Sequence, residues 1–293
     1  MREIAAWREA IYVIFAPVFL PGLFYERSHP LLKCRLQSVL NQLAKTEDKG
    51  EIHMNLGKLW ADVKGHVEFI IVVIVIIAAI IALAVLAQKL LFKGRPQNRQ
   101  KTRNIAVTGM LSAIAVVLFF FEIPLPFAPS FYELDFSELP ALIGSFAIGP
   151  VAGVTIELCK VLLKLVIRGT NTAFVGDFAN FIIGCSMVVP ASIIYHRFKT
   201  KKAAIASLIT GTLVMTVFGS LFNAFYLLPA FSDLYGLPLD QIVAMGHEVN
   251  GSINSVATLV LFAVVPFNLL KGALLTILTM LLYKHISPII KGH

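Results

Sequence analysis

Two polar side chains interrupt an apolar run near the end of this 293-residue chain: Asn268 and Lys271, three positions apart in PFNLLKG. On a helix that spacing puts both on one face. Inside lipid such groups are costly and ordinarily face a cavity or a partner. A carboxamide offers a donor and an acceptor, and an ammonium offers three donors. The pair therefore suits a flat heteroaromatic ligand with carbonyl oxygens and ring nitrogens. Asn223, beside Phe222, Phe225 and Tyr226, supplies a second amide near the outer end of another apolar run. The structural alternative has both Asn bridging helices and Lys271 reaching to the interface. These residues alone leave both readings open.

A second series, Glu157, Lys160, Lys164 and Arg168, recurs every three or four residues. It lets Glu157 pair with Lys160 on one helix face, with Lys164 and Arg168 extending toward the outer interface. In GTNTAFVGDFAN, Asp177 and Asn180 share a face, and Asp177 sits near a helix start, where the backbone dipole favours an acid. Capping explains it without invoking a ligand. Gly169 and Gly176 would supply a sharp turn and a close backbone approach, to a neighbouring helix or to a ligand.

Several chemistries are excluded. No Gly-x-x-x-x-Gly-Lys-Ser/Thr loop is present to cradle ATP phosphates. His247-Glu248 has no second His four residues on, so the zinc-hydrolase pattern is incomplete. Gly144-Ser145-Phe146 and Gly219-Ser220-Leu221 are not nucleophile elbows; small residues there let helices approach. Cys34, Cys159 and Cys185 are odd in number and widely spaced, which fits neither a disulfide framework nor a metal site. Neither a metal nor a catalytic group is expected.

The elements that must position these side chains follow from composition. The chain is 57% hydrophobic and 14% charged, with mean hydropathy +0.80, which marks a membrane protein. Its net charge of +8 lies in short clusters between apolar runs, as the positive-inside rule requires, so nucleic acid is not the implied partner. The fold expected is an all-α membrane protein: a six-transmembrane-helix bundle preceded by one additional N-terminal transmembrane helix.

The domain reading has four parts. Residues 1–66 form an N-terminal extension, partly amphipathic or interfacial, in which 11–25 is apolar but broken by Pro17 and Pro21-Gly22. A cleavable signal peptide is poorly supported, because acids balance bases in 1–10. Residues 67–92 are the added span, and 93–103 (KGRPQNRQKTR) form a basic cytoplasmic linker. Residues 104–293 form the substrate-binding domain, with helices at 105–121, 137–148 (short), 151–167, 174–198, 203–228 and 255–285. The loops 122–139 and 231–254 carry acids and no Lys or Arg, whereas 196–202 is basic. Both ends of the six-helix domain are thus placed in the cytoplasm. Arg168, near the outer face, is the one exception.

The outer loop FEIPLPFAPSFYELDFSELP is stiffened by Pro124, Pro126 and Pro129 and carries Phe127, Phe131, Tyr132 and Phe136. It reads as an aromatic lid able to stack on a planar ligand; the alternative is a loop packed on its own helices. The segments FEIPLPFAPSFYELDFSELPALIGSFAIGPVAG, GTNTAFVGDFANF, NAFYLLP and PFNLLKG, in that order, resemble the riboflavin-binding S component of energy-coupling factor vitamin transporters over about 104–288.

The resemblance implies a vitamin pocket near the outer face, closed by the loop between the first two helices of the bundle. It puts Asn223, Asn268 and Lys271 on the flavin ring, Phe131 and Tyr132 in the lid, and Asn180 with Gly176 at the pocket border. It makes Gly109 and Ala113 the docking surface for a shared transmembrane subunit, with two cytoplasmic ATPases completing the complex. Riboflavin enters as transported substrate, so no cofactor is implied. Asp177 stands where the family pattern usually has Glu, and residues 1–92 lie outside the match. Should translation begin further in, Met54 is a more credible start than Met110, which would truncate the first helix of the bundle.

The expected function is riboflavin capture for an ATP-driven importer, with no enzymatic activity. One alternative keeps the architecture and changes the ligand to another flat vitamin or precursor. Another is an intramembrane enzyme acting on a lipid or prenyl substrate through Glu157 and Asp177. A third is a purely structural anchor.

Overall fold

The structure, a computed structural model, describes residues 67–92, 101–125, 129, 132–170, 172, 174–235 and 237–291. Expectations for 1–66, for most of the basic linker and for Phe131 fall outside the described residues. The described residues up to Tyr283 belong to one compact unit. That unit holds the site.

The described elements are nearly all helical. They run α1 (Val67–Leu91), α2 (Lys101–Phe119), β1 (Ile123–Pro124), β2 (Glu133–Leu134), α3 (Glu138–Ala147), α4 (Pro150–Arg168), α5 (Val175–Phe198) and α6 (Lys201–Phe222). A π-helical turn, Asn223–Leu227, leads into α7 (Leu228–Tyr235), followed by α8 (Leu239–Val249) and α9 (Val256–Leu259). A second π turn, Val260–Val264, leads into α10 (Val265–Lys291). Among the described residues, five stretches are long and apolar enough to cross a membrane: Val73–Leu91, Lys101–Phe119, Val175–Phe198, Lys201–Asp233 and Val256–Tyr283. The short α3 and the charge-bearing α4 are not among them.

Local chemistry sets the boundaries. Pro150 opens α4, where its missing N–H costs nothing. Gly169, at φ 74 and ψ −163, takes a positive-φ conformation open to glycine, and α4 ends there. Thr200 caps α6 by accepting from the Ala203 N–H at 3.0 Å. Ser255 and Thr258 form a reciprocal capping box at α9.

Packing converges on α4 and α5. Phe119, Val154, Val161, Phe178, Phe181, Ile182 and Val189 form one buried cluster, which Ala84 of α1 joins. Gln88 of α1 accepts from the Val151 N–H at 3.2 Å, satisfying one of the orphan donors at the start of α4. On the other side, Gly272 lets α6 and α10 come together: a Cβ there would lie 2.3 Å from Thr212 Cγ2. This close approach brings the polar residues of both helices to one place.

Three departures from expectation stand out. The segment 231–254, read as a loop, contains α8 and the end of α7, and Ile242 of α8 packs with Tyr132, Leu228, Leu259 and Phe267. Its Asp240, Gly246 and Pro238 obscure the helical period. The aromatic outer loop holds a small antiparallel ladder, Ile123 opposite Leu134 and Pro124 opposite Glu133. Arg168, the exception to the charge rule, pairs with Glu122 at 3.1 Å, which offsets its charge.

Candidate functional site

A cavity of about 150 Å³ opens among the loop before α3, the start of α5, the Asn223 turn and α10. Six of the seven residues singled out for ligand binding line it: Tyr132, Gly176, Asn180, Asn223, Asn268 and Lys271. The seventh, Phe131, lies outside the described residues.

Asn223 begins the π turn Asn223–Leu227, a local widening of the helix of the kind often found at functional sites. Its Nδ2 donates to the Gly219 carbonyl and its Oδ1 accepts from the Tyr132 hydroxyl, both at 2.9 Å. A residue of the outer loop is thereby fastened to the end of α6. The Tyr132 ring also lies 5.7 Å from that of Phe267, and burial pushes its phenol well above the usual value.

Lys271 does not reach to the interface. It is 6% exposed and donates to Asp135 Oδ2 and Glu138 Oε1, each at 2.9 Å. Lys160 is fully buried and shares one of these acids, at 3.4 Å from Glu138 Oε1, and donates to Ser137 Oγ at 2.7 Å. Asp135 Oδ1 in turn accepts from the Ser137 amide and hydroxyl. The groups Lys160, Ser137, Asp135, Lys271 and Glu138 close into a ring. Burial alone would raise the Asp135 carboxyl, but Lys271, Lys160 and the Ser137 hydroxyl outweigh it and hold it at about 2. At the rim, burial and the neighbouring Glu122 raise the Glu133 carboxyl, against the opposing pull of Arg168.

Sequence reasoning missed Asp135 and Glu138 as site residues. Their only signal was two acids in a loop too apolar for ordinary exposure, and that signal was read as topology. The expected pair of Glu157 with Lys160 is present at 2.7 Å, both side chains fully buried. Lys164 was expected to reach outward. It turns back to pair with Asp177, which also accepts from Thr170 Oγ1 at 2.8 Å. Asp177 is therefore no helix cap; the N-cap of α5 is Phe174, without a side-chain cap bond. The sharp turn lies at Phe174, φ 70, and at Gly169, whereas Gly176 is helical within the first turn of α5.

Polar groups around the cavity remain unsatisfied. Among the described residues, Asn268 Nδ2, Asn180 Oδ1 and Glu138 Oε2 are buried without a hydrogen-bond partner. Buried polar atoms are normally paired, so orphans gathered around one cavity fit a site completed by a ligand. No group of three His, Cys, Asp or Glu side chains able to hold a metal occurs among the described residues. Gly109 and Ala113 face outward from α2, opposite its buried Leu111, Ala115 and Val116, and a Cβ at Gly109 would meet no atom within 4 Å.

Comparison with known proteins gives concordant matches. The family model described as "ECF transporter, substrate-specific component" matches residues 103–283. "Riboflavin transporter RibU" of Staphylococcus aureus is 35% identical over 197 residues, covering 67% of this chain and 97% of the relative. "Riboflavin transporter FmnP" of Bacillus subtilis is 31% identical, covering 64% and 94% respectively. A solved structure, the S component of a bacterial ECF transporter, superposes with TM-score 0.52 at 36% identity, over 66% of this chain and 99% of that one.

Proposed function

Because the chain belongs to the family of substrate-specific components of ECF (energy-coupling factor) transporters, we propose that it is the riboflavin-capture subunit of an ATP-driven vitamin importer. The observation that carries this reading is the convergence of Asn223, Asn268 and Lys271, from two helices, on one cavity. The names of the relatives support the ligand, since both cited transporters are riboflavin transporters.

The cavity chemistry suits a flavin. Its wall mixes apolar surface from Ile183, Leu227, Val264 and Phe267 with amide donors and acceptors, as a planar ring with an apolar and a polar half requires. Tyr132 and the ladder-bearing loop act as the lid, and the Tyr132–Asn223 hydrogen bond is the contact by which the lid reports on the ring site. The ribityl chain lies toward Gly176 and Asn180.

The further parts of the proposal concern assembly. The bundle of 104–293 crosses the membrane six times with both ends in the cytoplasm, preceded by α1 as an added crossing. The outward small-residue face at Gly109 and Ala113 receives the shared transmembrane subunit, where small side chains permit close helix contact. Two ATPase subunits complete the importer. Glu157 and Asp177 are engaged with Lys160 and with Lys164 and Thr170, which argues against their acting as acid and base on a lipid substrate.

The test is to purify the full chain in mild detergent from riboflavin-supplied cells, extract bound small molecules and identify them by mass spectrometry. Stoichiometric riboflavin supports the proposal. Another flat vitamin would move the assignment to that ligand, and no retained ligand together with no binding of added riboflavin would reject it.

A further inference from the structure

Glu138 has no role in the capture scheme described so far, yet it sits in the cavity wall. It is 1% exposed and lies in the first turn of α3, where the helix N-terminus favours a negative charge. One carboxylate oxygen, Oε1, takes the Lys271 ammonium at 2.9 Å and Lys160 at 3.4 Å. The other, Oε2, is buried with no partner among the described residues. A carboxylate oxygen left bare where water is excluded is destabilising unless something arrives to pair with it.

We infer that Glu138 is a ligand-contacting residue whose Oε2 accepts a ring N–H of the bound molecule. This rests on the riboflavin reading and deepens it. Lys271 spends two of its three donors on Asp135 and Glu138, and its third can be given to a ligand carbonyl. The Lys271–Glu138 pair therefore presents a donor directly beside an acceptor. Its complement is a carbonyl adjacent to a ring N–H, the arrangement of a cyclic imide. The pyrimidine half of a flavin is such an imide, with one N–H between two carbonyls. Asn268 Nδ2, also unpaired, then has a carbonyl to donate to, and Asn180 Oδ1 is left for a hydroxyl. A ligand of the same shape without the imide proton leaves Oε2 bare, and a site that hydrogen-bonds a group discriminates strongly against the analogue lacking it.

The experiment titrates the purified full chain with riboflavin and with N3-methylriboflavin, which keeps both carbonyls and the polyol but has no imide N–H. Wild-type protein should bind the methyl analogue at least tenfold more weakly. In Glu138→Gln the ratio between the two flavins should shrink. A penalty arising only from the bulk of the methyl group would keep the same ratio in both proteins. Equal affinities in the wild type, or an unchanged ratio in the variant, would overturn the inference about Glu138 while leaving riboflavin capture intact. Failure of both flavins to bind would reject the functional reading itself, and this inference with it. Should the variant not fold, the N3 proton of ¹⁵N-labelled riboflavin bound to wild-type protein decides the matter. A downfield, exchange-protected signal is expected, and a freely exchanging one would contradict it.

Discussion

Lys271 on α10 donates to Asp135 Oδ2 at 2.9 Å, joining positions 136 apart in the sequence. Lys271 is thus anchored by the same segment before α3 that carries Tyr132. With Glu138 it forms a buried charge cluster that is stable only when complete, since breaking a buried pair strands an uncompensated charge.

The first prediction concerns that pairing. Lys271→Met should lower stability by roughly 3–5 kcal/mol, because Asp135 and Glu138 lose their shared cation. Adding Asp135→Asn to it should recover part of the loss, with a coupling of about 1–3 kcal/mol in a double-mutant cycle followed by thermal unfolding in detergent. Strict additivity would show that the pair does not matter to the fold.

Asn268 and Asn223 should behave differently although both line the cavity. Asn268 Nδ2 has no partner among the described residues, so Asn268→Ala should leave thermal stability nearly unchanged while weakening riboflavin more than tenfold. Asn223 makes two internal hydrogen bonds. Asn223→Ala should therefore cost about 1–2 kcal/mol of stability as well as affinity. Paired melting and binding curves for the two variants would separate the roles.

A subtler change tests the positioning of Asn268. A Cβ on Gly219 would sit 3.2 Å from Asn268 Nδ2, close enough to displace the amide without unfolding the helix. Gly219→Ala should weaken riboflavin by about fivefold, corresponding to about 1 kcal/mol of misfit. Retained affinity would mean that Asn268 is free to adjust.

Much of this arrangement was legible in the sequence, for identifiable reasons. The apolar run lengths, the charge clusters and the Pro and Gly punctuation marked α1 to α5 within a few residues of their observed bounds, whereas the expected helices 203–228 and 255–285 are each interrupted by a π turn, so that α6 ends at Phe222 and α10 begins at Val265. The three-residue spacings of Asn268 with Lys271 and Glu157 with Lys160 marked shared faces. What could not be read was long-range. Nothing local says that Asp135 and Glu138 meet Lys271, because that contact depends on how α3 and α10 pack. Asp177 looked like a cap because its partner Lys164 lies across a turn whose direction is set by Phe174 and Gly169. The π turns at Asn223 and Val260 leave no compositional mark, since the same residues would also suit an α-helix.

The pH dependence follows from Asp135. Its folded value of about 2 lies below the ordinary 3.8, so the ionised carboxyl stabilises the fold fully above about pH 4. That contribution, on the order of 2 kcal/mol, is lost as pH falls through the folded value. Melting temperatures of wild type and Asp135→Asn should be well separated at pH 6 and converge toward pH 2.5. A gap independent of pH would argue against a charged Asp135.

The central claim is that amide and ammonium groups from α10 and the Asn223 turn form one flavin site. Its most direct test is equilibrium titration of purified protein with riboflavin, followed by quenching of flavin fluorescence, in wild type and in Asn268→Ala. Saturable one-to-one binding in the wild type, weakened more than tenfold in the variant, is the predicted result. Equal affinity in the two proteins would contradict it.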